Sequence, residues 1–217
     1  MMLKISKLLT VLVVTVSLNI KAQEFDAVLY FLDGSKKTGK ADMVSNEETK
    51  LAFIENGSKK KEKIKINLLD KVEYIHLNNN QSVTAELREF IYYFLSDKPK
   101  SNYGWIRKIS TSGDISTYVG YSYDAGVRNA YHYTVKPSEL YNFFFQYKNE
   151  KPHLIYFDNS MWTPNKKQIV RRQVKNFFTD ICPQLVSDFN DGKIEIKNND
   201  VKVLIDYYEK NCSTTNN

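Results

Sequence analysis

Thr163-Pro164-Asn165-Lys166-Lys167-Gln168-Ile169-Val170-Arg171-Arg172-Gln173-Val174-Lys175-Asn176-Phe177-Phe178-Thr179-Asp180-Ile181 is the stretch where the hydrophobic period changes from 2 to 3.6 residues. Val170, Val174, Phe177, Phe178 and Ile181 fall on one stripe, and Thr163 is placed to cap a helix with Pro164 in its first turn. Pro183 opens a second, short helix carrying Leu185, Val186 and Phe189, and Asp191-Gly192 stops it. Asn199 or Asp200 caps a third, with Val201, Leu204 and Tyr208 facing inward. Residues 159–217 therefore read as a three-helix tail.

Upstream of Asn159 the period is that of strands. In the region 23–80, Ala27 to Leu32 runs into the turn Asp33-Gly34 and returns through Lys37 to Met43. Leu51 to Ile54, Asn56-Gly57, Lys63 to Ile66 and Val72 to Leu77 continue as a small curled sheet or partial barrel. In the region 81–158, residues 82–95 fit a helical face as well as a strand. The run Phe90-Ile91-Tyr92-Tyr93-Phe94, aromatic and β-branched, favours the strand. Lys98 to Asn102 reads as a loop, followed by strands at Trp105 to Ile109, Ile115 to Tyr123, Ala130 to Val135, Tyr141 to Tyr147 and His153 to Phe157. These form a second antiparallel sheet or an extension of the first. The expected class is α+β, an antiparallel strand-rich body followed by the helical tail.

Composition sets the remaining bounds. The 217 residues are 42% hydrophobic and 26% charged, values of a folded chain rather than a disordered one. Residues 1–22 read as a signal peptide: Lys4 and Lys7, an apolar run from Leu8 to Ile20, then Ala22 ahead of Gln23. No Cys lies near that point to take a lipid, so export with cleavage near Ala22 and without a lipid anchor is expected, to the periplasm or beyond. The leader holds three of the 31 bases and no acid, so the remainder has 28 against 25, a formal +3 in place of +6. So mild a charge on an exported protein argues against a nucleic-acid partner.

Cys182 and Cys212 are the two cysteines. In an oxidising compartment they are expected to pair, the alternative being two buried thiols. A metal or redox role lacks both a C-x-x-C spacing and a nearby His. The bridge would join the start of the second helix to the end of the third, which meet if those helices run antiparallel.

The runs Gly113-Asp114-Ile115-Ser116-Thr117-Tyr118 and Phe177-Phe178-Thr179-Asp180-Ile181-Cys182-Pro183-Gln184-Leu185, with Asp200 to Val203 and Tyr207-Tyr208 before Asn211-Cys212, resemble uncharacterised secreted envelope proteins of the Bacteroidota. The likeness spans residues 105 to 212, and Ala22-Gln23 is similar to the end of their leaders. It implies an envelope protein with a disulfide-tied tail and brings no activity.

No catalytic signature accompanies this architecture. Gly-x-Ser-x-Gly is absent, no phosphate-cradling Gly-rich loop occurs, and His76, His132 and His153 are scattered without metal-ligand spacing, so no catalytic residue, metal or cofactor is assigned. A hydrolase using the central carboxylates Asp114, Asp124, Glu139 and Asp158 is the enzymatic alternative. A purely structural or assembly role is the third reading. The leading expectation is a non-enzymatic binding protein with one of two surfaces. The first is an aromatic sheet face of Trp105, Tyr118, Tyr121, Tyr123, Tyr131 and Tyr133. The second is the basic face of the first tail helix, Lys167, Arg171 and Lys175 at i, i+4 and i+8. Envelope polysaccharide, anionic lipid and another envelope protein are the partner classes these surfaces suit. The charge run from Lys59 to Lys65 reads as a solvated hairpin tip.

Overall fold

Period-2 alternation becomes a single hydrogen-bonded sheet. The computed structural model describes residues 24–78, 81–124, 138–158 and 165–213. Among them lie β1 (Phe25–Phe31), β2 (Lys36–Ala41), β3 (Lys50–Glu55), β4 (Lys61–Lys65), β5 (Leu69–Asn78), β6 (Gln81–Tyr92), β7 (Lys100–Ser112), β8 (Ile115–Asp124), β9 (Ser138–Tyr147) and β10 (His153–Phe157). The tail supplies α1 (Lys166–Phe178), α2 (Pro183–Asn190) and α3 (Lys202–Asn211). The class is α+β, as the change of period implies.

Sheet order is β10-β9-β8-β7-β6-β5-β1-β2-β3-β4, with neighbours antiparallel, so the central strands extend the first sheet and do not form a separate one. Residues 82–92 lie in β6, in register with β7 from Ala85↔Arg107 to Tyr92↔Lys100. That pairing also draws Lys100 to Asn102, read as loop, into a strand. Asp33-Gly34 turns as expected, with Gly34 at a φ of +83° that a side chain would strain.

A second pairing changes the shape of the central strands. His153 of β10 also pairs in parallel with Ile91 of β6, and Ile91 N donates to Pro152 O at 2.8 Å, so β6 to β10 close into a five-stranded ring. Inside it one side chain from each strand meets the others: Phe90, Ile106, Tyr118, Phe144 and Leu154.

On the outer face of the ring Ile115, Phe145 and Ile155 pack against Val174, Phe178, Leu185 and Leu204 of the helices. Helical spacing delivers the predicted stripe there, with Val170, Val174, Phe177 and Phe178 buried and Ile181 partly so. Truncating the fully buried Phe178 to Ala would cost about 3–5 kcal/mol. Cys182 and Cys212 form a disulfide with Cα atoms 5.6 Å apart, tying the start of α2 to the end of α3.

The N-terminal strands curl around another core, Leu29, Leu51, Phe53, Val72 and Tyr74, which Ala85 and Trp105 complete from β6 and β7. β5 pairs with β6, from Lys71↔Glu86 to Tyr74↔Val83, so the N-terminal and central strands share one sheet.

Asn165, at φ +62°, precedes α1 without a side-chain cap bond, while Thr163 and Pro164 lie outside the described residues. At α3, Asp200 Oδ1 accepts from Lys202 N at 3.1 Å, as a capping residue should. The predicted strand Ala130 to Val135 also lies outside the described residues.

Candidate functional site

The aromatic residues do not share one face. Tyr118 and Tyr121 are three apart in a strand whose side chains alternate, so they project from opposite sides of β8. Tyr118 is buried inside the ring, whereas Tyr121 is half-buried with its ring 5.9 Å from that of Tyr141. Trp105 is buried in the N-terminal core. The side chain of Tyr123, and Tyr131 and Tyr133 entirely, lie outside the described residues. No flat stacking platform is built from Trp105 and Tyr118.

The basic helix divides differently. Arg172 donates to Phe94 O at 2.7 Å and pairs with Asp97 at 3.2 Å, and Lys175 reaches the same carboxylate at 3.5 Å. The Asn176 amide, then Lys175 and Arg172, hold the Asp97 carboxyl below its ordinary range. Lys175 therefore faces a local acid that fastens the chain leaving β6. Lys167 and Arg171 have no carboxylate partner among the described residues, and Arg171 Nη2 donates only to Asn190 O, at 3.0 Å.

Those two bases rim a groove of about 410 Å³ between α1 and the segment that follows α2. Its floor is apolar, with Val170, Phe189 and Ile194 exposed by 9% or less. Lys166 stands at one side, its Nζ 4.5 Å from the Tyr156 ring centroid, 3.2 Å from Tyr156 Oη and 3.9 Å from Asp158. Glu195 is the acid on the rim, and it pairs with Lys197 at 3.4 Å. The arrangement offers two cations above an apolar trough, which suits a ligand having an anionic head and a nonpolar body.

Elsewhere the predicted residues hold structural positions. Asp114 pairs with Lys148 at 3.8 Å, and Lys148 N donates to Asp114 O. Asp158 N donates to Tyr141 O at the other end of β9. Seven residues of strand separate these two points, about 23 Å, too far for two carboxyl groups to flank one bond. The side chains of Asp124, Glu139 and His76, and His132 entirely, lie outside the described residues. Among the described residues no three His, Cys, Asp or Glu side chains come together to hold a metal ion, and no helix is long and apolar enough to cross a membrane. Within the Lys59 to Lys65 run, Lys61 pairs with Glu24 at 3.2 Å and Asp42 at 3.7 Å.

Two polar residues that sequence reasoning passed over organise the framework. Asn46 wedges between β7 and β8: its Oδ1 accepts from Trp105 N at 2.6 Å, and its own N donates to Tyr121 O at 3.1 Å. Gly120 leaves room for it, since a Cβ there would stand 3.2 Å from Asn46 Nδ2. Gln173, fully buried on α1, accepts from Tyr93 N at 3.0 Å and donates to Tyr93 O at 2.7 Å. A Gln within the apolar stripe was the available signal for the second; an Asn in a loop carries none.

No family model, curated protein or solved structure matches this chain.

Proposed function

We propose that this chain is an exported, non-enzymatic envelope protein that holds an anionic lipid in the groove beneath Lys167 and Arg171. The observation that carries the reading is the pair of bases with no acid partner among the described residues, placed directly over buried apolar side chains. A polysaccharide would leave that trough unfilled, whereas a lipid supplies both phosphate and hydrocarbon. The leader-like residues 1–22 and the Cys182–Cys212 bridge support export to an oxidising compartment.

The test is co-sedimentation of the protein starting at Gln23 with phosphatidylglycerol vesicles and with phosphatidylcholine vesicles. Binding to the anionic vesicles is expected, and Lys167→Glu with Arg171→Glu should weaken it by at least thirtyfold, since losing two bases costs about 1 kcal/mol each and the added acids repel the surface. Equal binding to both vesicle types, or indifference to the double reversal, would overturn the lipid assignment. An intact mass of the protein expressed from the full sequence that still includes residues 1–22 would overturn the cleavage near Ala22.

A further inference from the structure

Arg88 lies at one mouth of the ring, beside Tyr118 and Gln146. Its guanidinium carbon lies 5.0 Å from the Tyr118 ring centroid, and Nη1 is 3.4 Å from Gln146 Oε1. The same Oε1 accepts from Tyr118 Oη at 2.6 Å, while Gln146 Nε2 donates to Glu150 O at 2.6 Å. Gln146 and Tyr118 are both buried, so the guanidinium rests on a fixed support. No carboxylate pairs with Arg88 among the described residues, and its remaining N–H groups meet no acceptor there. A planar five-donor fork held in this way is matched by a carboxylate, which takes two parallel hydrogen bonds.

The hollow in front of it measures about 460 Å³ and is lined by Thr84, Glu86, Lys108 and Thr111 as well as Arg88 and Tyr118. Lys108 adds a second positive charge. Glu86 accepts hydrogen bonds, and the two threonine hydroxyls donate or accept them. This lining is the complement of a polyol that also carries an acid group.

We propose that this hollow binds an acidic sugar, its carboxylate on Arg88 and Lys108 and its hydroxyls on Thr84, Thr111 and Glu86. The site shares no residue with the groove beneath α1 and stands independently of the lipid reading.

Isothermal titration of the protein starting at Gln23 with digalacturonate tests it, with galactobiose as the uncharged control and sodium sulfate as the bare oxyanion. Saturable binding of digalacturonate is expected, weaker by about tenfold in Arg88→Lys, which keeps the charge and loses the fork, and further in Arg88→Ala. Lys108→Ala, at an exposed position, should weaken it about threefold and serves if the Arg88 variants lose their near-UV circular dichroism. The proposal is overturned by absence of digalacturonate binding, by galactobiose binding equally well, or by sulfate binding as tightly as the sugar acid. It also fails if folded Arg88 variants, or Lys108→Ala in their place, bind like the parent protein.

Discussion

His153 lies between the rings of Tyr93 and Phe177, at centroid distances of 6.1 and 5.4 Å, with Nδ1 buried and without a hydrogen-bond partner among the described residues. Burial disfavours the imidazolium and lowers the pKa below the ordinary value. The unfolded chain consequently takes up a proton first as pH falls. The stabilisation is complete above about 6.5, the unfolded value, and is lost as pH falls through the lowered folded one. Urea midpoints should therefore decline below about pH 6.5, and His153→Phe should flatten that decline; parallel curves for the two proteins would place the titration elsewhere. The aromatic surroundings of His153 favour its neutral form. For Arg88, nothing in a strand pattern tells which arginine will lie against a tyrosine from another strand.

At the scale of elements, α1 works as a clamp as well as a core helix. Gln173 closes both backbone groups of Tyr93, and Arg172 with Lys175 holds Asp97 just beyond. Gln173→Leu would preserve the apolar stripe yet leave a buried N–H and C=O unpaired, costing about 2–4 kcal/mol. A urea titration showing a loss under about 1 kcal/mol would mean that water or local rearrangement satisfies Tyr93. The five bases of α1 were legible as a charged face. The separation of Arg172 and Lys175, which clamp Asp97, from Lys167 and Arg171 was not, because it depends on Asp97, more than seventy residues earlier in the chain. The ambiguity over residues 82–95 has the same origin. Their local pattern suits two structures, and hydrogen bonds to β5 and β7 select the strand.

Over the whole molecule, one sheet serves two principal cores. The N-terminal core depends on β1 to β5 with Ala85 and Trp105, while the helices cover the outer face of the ring through Phe145, Phe178 and Leu204. The disulfide lies wholly within the second unit and closes 30 residues of chain, a constraint worth about 3–4 kcal/mol in loop entropy. Replacing Cys182 and Cys212 by Ser should raise hydrogen-exchange rates throughout α2 and α3 while the amides of β1 to β3 keep their protection. Equal acceleration in both regions would show that the two cores open together.

The sequence by itself determined the class of this protein and most of its elements. Alternation and a 3.6-residue stripe are local consequences of backbone geometry, and turn residues such as Asp33-Gly34 act within a few positions. It also pointed to the cysteine pair, since only two are present, while the packing that brings the start of α2 to the end of α3 is tertiary. Tertiary structure alone decided that β10 returns to β6, that Tyr118 and Trp105 are interior, and that Lys167 and Arg171 are left above an apolar groove while Lys175 is not. Each of these depends on closure of a curved sheet or on a partner distant in sequence, and neither leaves a mark in the local pattern of side chains.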